Sequence, residues 1–200
     1  MNNRGVMSGG CCSCGSGCCS GEAPKQAGNR RVVIDFLYLD LSVCKWCQGT
    51  DKSLEEALND ISNVLQASGI EVVVNKINVT SEELAIKHRF ISSPTIRVNG
   101  RDIQMEVREK LCDSCGDLCG DSVDCRVWVY NGEEYTIPPK ALIIEGILKA
   151  VHGGETACES SEYKLPENLK KFYKSMDQKN KINDDFKKSS CCGSGENKCC

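Results

Sequence analysis

The apolar positions change period along the chain, and each change marks an element. Residues 31–41 (RVVIDFLYLDL) are β-branched and aromatic, apolar in part on both faces, and predict a buried central strand. Residues 44–51 read as a loop. Ser53-Leu54-Glu55-Glu56 has the form of a capping box, in which the Ser hydroxyl and a Glu carboxylate satisfy orphan amides. The helix it opens puts Leu54, Ala57, Leu58, Ile61, Val64 and Leu65 on one face and ends at Ser68-Gly69. Residues 70–79 predict a second strand, and Thr80 or Ser81 caps a short helix through residue 89. Beyond Ser93-Pro94, residues 95–98 predict a strand that turns at Asn99-Gly100 and pairs back over residues 101–107. Residues 126–130 and 134–137 form another hairpin about Asn131-Gly132. Pro139 suits the first turn of a helix running to residue 152, which Gly153-Gly154 stops, and a short helix covers residues 166–175.

One strand–helix–strand crossover implies a parallel pair with a right-handed connection, and the hairpins add antiparallel edges to the same sheet, so the class is α/β. Residues 1–29 are rich in Gly, Ser and Cys, a composition that predicts a disordered tail. The domain is expected over residues 30–153, with a cysteine-rich insertion at about 108–125. A linker and short helix follow at 154–175, then a disordered, Cys-tipped tail at 176–200.

Charge and composition narrow the function. A formal net charge of -3, with no Lys/Arg block in the folded region, argues against a nucleic-acid partner. The lysines between residues 170 and 188 are interrupted by acids and read as a solvated surface. No apolar run approaches the roughly 18 residues of a membrane helix, and the N-terminus lacks the apolar core of an export signal, so a cytoplasmic location is expected. In a reducing interior, sixteen cysteines point to metal binding or redox chemistry rather than to a static disulfide framework.

Three groups of cysteines carry that chemistry. Cys44-Lys45-Trp46-Cys47 follows the central strand. Thiol exchange needs an exposed thiolate and a second thiol that resolves the mixed disulfide, and the positive charge of Lys45 favours the thiolate. A helix N-terminus would favour it further, more so if Thr50 or Asp51 caps the helix than if Ser53 does. The same pair is also half a zinc site. Trp46 either walls a substrate site or packs on the domain surface, and Asp35 and Asp40 fall on opposite faces of the strand, either as a proton acceptor or as plain strand carboxylates. Cys112, Cys115, Cys119 and Cys125 place four thiols in a turn-rich segment. They suit a closed Zn²⁺ site, an iron–sulfur cluster, a dithiol relay to Cys44 and Cys47, or plain reduced thiols. The third group is terminal: Cys11, Cys12, Cys14, Cys18 and Cys19 at one end, and Cys191, Cys192, Cys199 and Cys200 at the other. Adjacent cysteines bridge each other poorly but offer several sulfurs to one soft ion such as Cu(I), Hg(II) or As(III). A flexible segment from Cys19 to Arg31 spans about 20 Å, more than the roughly 15 Å radius of such a domain, so a tail can reach the domain's active face. His88 and His152 add little to any of these sets.

A strand ending in C-x-x-C, then a helix, a strand–helix unit and Ser-Pro-Thr-Ile before a hairpin resembles the thioredoxin fold over residues 31–151. SPTIRVNGRDI, the Cys112-x2-Cys115-x3-Cys119-x5-Cys125-Arg126 run and a Trp-bearing strand resemble, more narrowly, an uncharacterised family of small prokaryotic thioredoxin-like proteins of the DUF2703 type. The resemblance implies a thioredoxin-like three-layer sandwich. It also implies a cis Pro94 facing the C-x-x-C, Cys44 as nucleophile and Cys47 as resolving thiol. It names no substrate. The sequence departs from thioredoxin in its Lys-Trp pair, in the five residues between Cys47 and Ser53, and in the cysteine-rich insertion.

Two functions follow as expectations. One is a thiol–disulfide redox protein with soft-metal-binding clusters, acting on an oxidised protein or small thiol and recharged by a cellular reductant. The other is a binding or detoxification accessory for Zn, Cu(I), As(III) or Hg(II) without oxidoreductase activity. A metal-stabilised interaction module with an inert domain is the blander variant of the second.

Overall fold

In the computed structural model, which describes residues 30–153 and 162–190, the first strand is the hub. β1 (Arg30–Tyr38) pairs in parallel with β2 (Ile70–Asn78) across the crossover helix α1 (Lys45–Ala67). On its other side β1 pairs antiparallel with β3 (Thr95–Val98), and β3 with the two-residue β4 (Arg101–Asp102). The sheet order is therefore β2-β1-β3-β4. Ser81 caps the short α2 (Glu82–Lys87) between β2 and β3, its hydroxyl accepting from the Leu84 N–H. The β3–β4 turn uses Asn99 and Gly100, both at positive φ, as the dipeptide requires.

The remaining strands do not extend this sheet, contrary to the single sheet expected. β5 (Arg108–Leu111), β6 (Asp124–Tyr130) and β7 (Glu133–Tyr135) form a second antiparallel sheet in the order β5-β6-β7. The reason lies at the β4 edge. β4 spans only two residues, and beside it the Asp102 carboxylate pairs with Arg126 at 2.8 Å and accepts from the Gln104 N–H. Gln104 then meets β6 with its side chain and carbonyl, accepting from the Val129 N–H and from Arg126 Nη2. β6 is pinned near the first sheet by these bonds and by Arg126 N–H to Ser93 C=O at 2.7 Å, without a shared ladder.

Two cores flank β1, as a strand of period two allows. Val32, Ile34 and Phe36 pack with Leu54, Ala57, Ile61 and Leu65 of α1, with Trp128, and with Ile143 and Ile147 of α4 (Lys140–His152). Leu37 and Leu39 join a second core made of Cys44, Cys47, Val79, Ala85, Phe90, Val123 and the cysteines of the insertion. Here α3 (Asp113–Cys119) and α5 (Glu167–Ser190) close the far side. Leu169, Phe172 and Tyr173 of α5 are buried in this core, and the Tyr173 hydroxyl donates to the Val79 carbonyl. Lys179 donates to the Asp117 and Leu118 carbonyls, placing a cation at the C-terminal end of α3.

Three local expectations need correction. α1 begins at Lys45 rather than after Ser53, so residues 44–51 are not a loop. Ser53 lies within the helix and is buried, and its hydroxyl donates to the Pro138 carbonyl at 2.6 Å instead of capping. Val64 faces solvent at 58% exposure, whereas the rest of the expected stripe is buried or half-buried. At the other end α5 runs to Ser190 instead of stopping near residue 175, because no Gly or Pro interrupts the segment after Pro166. Residues 1–29 and 191–200, with their tail cysteines, and residues 154–161 of the expected linker lie outside the described residues. No helix among the described residues is long and apolar enough to cross a membrane.

Candidate metal centre

The chain between β1 and α1 is shaped by polar capping. Asp40 accepts from the Ser42 hydroxyl and, at 2.6 Å, from the Val43 N–H, which folds the strand end into a tight turn. Gln48 reaches back from the first turn of α1 to the Leu41 and Ser42 carbonyls. Cys44 thereby becomes the N-cap of α1. Its sulfur accepts from the Cys47 N–H at 3.4 Å, and its carbonyl takes the Gln48 N–H at 3.0 Å. Asp35, on the strand itself, accepts from the Asn75 amide.

The insertion repeats this device. Cys112 stands at the N-cap of α3 in extended backbone, held by its N–H to the Val123 carbonyl. Cys115 follows three residues later on the same helix face. Gly120, at φ +80, ends α3 in the left-handed conformation and turns the chain back toward β6, where Cys125 points inward.

These segments bring Cys44, Cys112, Cys115 and Cys125 together. Their sulfurs all lie within 4.8 Å of one another, and all four residues are buried. The Cys115 and Cys125 sulfurs are 3.2 Å apart. Cys119, grouped with the insertion cysteines on sequence spacing, stands outside the set; its thiol donates to the Asp121 and Gly116 carbonyls. Cys44, grouped with Cys47, stands inside it. Cys47 lies beside the set, with its sulfur 3.4 Å from the Ser93 hydroxyl.

The surroundings differ from the expected open redox site. Cys44 and Cys47 are each 0% exposed, so neither sulfur meets solvent. The Ser93-Pro94 peptide is cis. Trp46 is half-buried against the cysteine-containing core. His88 caps the end of α2 and His152 ends α4, both apart from the sulfur set.

A negative charge in this cluster settles on one side of it. Hydrogen bonds from Cys112, Cys115, Cys125 and Cys47 hold the Cys44 thiol far below the ordinary cysteine range, against the opposing effect of burial. Cys112 is lowered too, chiefly by Cys115 and Cys125. The cost falls on the donors. Cys115 and Cys125 are pushed up, first by their bonds to Cys112. Cys47 is pushed up by its bond to Cys44 and by burial, and the Ser93 hydroxyl pulls it partly back. One thiolate is thus well solvated by its neighbours, and a second is opposed by the first.

Ser93 is the residue that spacing did not single out as a contact. Its hydroxyl accepts from the Leu39 N–H at 3.1 Å and touches the Cys47 sulfur, while its carbonyl holds Arg126 N–H. Arg126, adjacent to Cys125, is fully buried. It bonds Thr95, Asp102 and the Gln104 carbonyl, and its guanidinium lies 4.9 Å from the Trp128 ring centre. The position of the fourth sulfur is therefore fixed by a strand that is itself anchored on both sides.

Residues 32–147 match the family described as "Domain of unknown function (DUF2703)". The chain belongs to this family. The DUF2703 match takes in Cys44, Cys112, Cys115 and Cys125, so the sulfur set lies inside the family region. An uncharacterised protein of Archaeoglobus fulgidus is 31% identical over 99 residues, covering 48% of this chain and 70% of its own length. No solved structure matches the chain.

Proposed function

We propose that this DUF2703 protein holds one thiophilic ion, Zn²⁺ or an ion of similar preference, on the sulfurs of Cys44, Cys112, Cys115 and Cys125. The observation that carries the reading is the convergence of four buried sulfurs within 4.8 Å. A tetrahedral ion with bonds of about 2.3 Å to sulfur needs ligand sulfurs about 3.8 Å apart, and the set is close to that. An iron–sulfur core would stand between its cysteines and hold them farther apart, so a single ion suits the spacing better. The electrostatics agree. Four buried thiolates repel one another, and a central cation is what lets all of them ionise together. The ion would clamp the start of α1 to the β5–α3–β6 unit.

The order β2-β1-β3-β4 with α1 after the central strand supports a thioredoxin-like reading of the first sheet. Anaerobic purification of the reduced full chain, followed by elemental analysis and Co²⁺ substitution, tests the centre. One ion per chain is expected, with the intense near-ultraviolet absorption of a four-thiolate Co²⁺ site. It should survive replacement of the terminal cysteines by serine and disappear in C115S. An ion lost with the terminal cysteines and kept in C115S would remove this site from consideration.

A second reading, a thiol–disulfide oxidoreductase, has one observation in its favour. Cys44 caps a helix N-terminus with Cys47 one turn on and Ser93 beside it, an arrangement suited to a stabilised thiolate and a resolving thiol. Burial of both sulfurs favours a small substrate over a protein one. Turnover of a small disulfide that vanishes in C44S supports this reading, and full turnover in C44S ends it.

A further inference from the structure

Cys44 belongs to two sulfur groups at once. It is one corner of the four-sulfur set, and it is one turn of helix from Cys47, whose N–H bonds its sulfur at 3.4 Å. Cys47 lies beside the set without being a member of it, one helical turn from Cys44. A disulfide between any two of the four would remove two ligands. One between Cys44 and Cys47 removes a single ligand and spends a thiol that the ion does not use.

Resting on the ion-binding reading above, we infer that this centre is redox-gated: a peroxide oxidises Cys44 to a disulfide with Cys47, and the ion is released. The complete burial of Cys44 selects a small neutral oxidant over a bulky one. In the first step the Cys44 thiolate attacks one peroxide oxygen and breaks the O–O bond. This gives a sulfenic acid and hydroxide. In the second, the Cys47 sulfur attacks the Cys44 sulfur, the S–S bond forms, and the sulfenic oxygen leaves as water with the Cys47 proton. The two sulfurs lose two electrons, and one molecule of hydrogen peroxide gains them. The oxidised Cys44 sulfur no longer carries the charge that bound the ion, and three thiolates remain.

Ser93 is placed to assist the second step. Its hydroxyl oxygen already accepts from the Leu39 N–H, which leaves its own proton free to be donated to the Cys47 sulfur as that sulfur becomes the nucleophile. Ser93 acts through Cys47 and is a positioning residue. A reductant that cleaves the disulfide returns both thiols and restores the site, so the gate is reversible.

The test uses the reduced full-length chain with its terminal cysteines replaced by serine, loaded with limiting Co²⁺ or Zn²⁺ and treated with hydrogen peroxide. Release is followed by loss of the Co²⁺ spectrum or by a zinc-chelating dye, and disulfides are mapped by mass spectrometry. The unmodified core should release its ion with a Cys44–Cys47 disulfide and recover the spectrum on reduction in the presence of ion. C47S and C47A should load like the parent but form no disulfide, so excess peroxide carries Cys44 on to the sulfinic acid and the spectrum no longer recovers on reduction. Two such variants guard against one that fails to fold. Full recovery of the spectrum in both variants, or a disulfide mapped to Cys115–Cys125, overturns the gate while loading of the reduced protein leaves the ion-binding reading intact. A reduced chain that takes up no ion fails at the loading stage and overturns both.

Discussion

The two faces of β1 look onto cores of different kinds. On one side Val32, Ile34 and Phe36 meet hydrocarbon from α1 and α4, together with Trp128. On the other, Leu37 and Leu39 meet a core in which sulfur replaces much of the hydrocarbon. Apolar burial is non-directional and indifferent to pH, oxidant or metal. Neutral cysteines pack as small hydrophobes, but the same sulfurs become mutually repulsive as thiolates and mutually cohesive around a cation. The first core therefore has one state, and the second has as many states as its sulfurs have protonation, oxidation and ligation patterns. The layout keeps the variable half attached to a constant one through β1, α1 and β6, each of which contributes to both cores.

Substitutions sharpen that contrast, and the largest effect is expected on the constant side. Phe36, fully buried and stacked on Tyr38 at 5.2 Å, should cost about 3–5 kcal/mol as Phe36→Ala. Denaturant unfolding measures this, and the ion stoichiometry of the folded fraction should stay at the parental value. Loss of the ion with Phe36 would show that the two cores do not behave separately.

Cys125→Ser comes next and acts on the variable side. Zinc at a free concentration a thousandfold above its dissociation constant should add about 4 kcal/mol to unfolding stability in the parent. In the variant that increment should shrink by about 2.8 kcal/mol, equivalent to a hundredfold loss of affinity. Paired melts with and without zinc read it directly, and an unchanged increment would refute the assigned ligand.

Gly146→Ala returns to the hydrocarbon side with a smaller effect. An added Cβ would lie 2.7 Å from Ile103 Cγ2 and 2.9 Å from its Cβ, so overpacking should cost about 1–3 kcal/mol without altering zinc affinity. Smallest is Cys119→Ser, which removes a buried sulfur lying outside the set. Stability should fall by only about 1 kcal/mol and zinc affinity should stay at the parental value, and a clear loss of affinity would return Cys119 to the ligand list.

Much of the scaffold could be read from local pattern. The strand at residues 95–98, the Asn99-Gly100 turn, the Ser81 cap and the buried stripe of Leu54, Ala57, Ile61 and Leu65 all reflect nearest-neighbour chemistry, and all are present. Local chemistry also misled. Ser53 with Glu56 imitates a helix start, but the turn organised by Asp40 and Gln48 begins the helix nine residues earlier, and Ser53 spends its hydroxyl on Pro138. The separate second sheet depends on what Asp102 and Gln104 do with their side chains, which no period in the sequence reports. The sulfur set was half legible. Cys112 and Cys115 sit three apart at a helix start, a spacing that predicts a shared face. Cys119 has a similar claim on spacing alone, but its thiol is engaged with the Gly116 and Asp121 carbonyls instead. The inclusion of Cys44 is a tertiary contact between segments remote along the chain.

That remoteness has a kinetic consequence. Cys44 and Cys125 are separated by roughly eighty residues, so closing the loop between them costs chain entropy and is expected late in folding. An ion needing both sulfurs gains its full hold late on the folding route, past the rate-limiting barrier. It should leave the refolding arm of a chevron where it is and depress the unfolding arm, giving the native state a longer lifetime with no faster arrival.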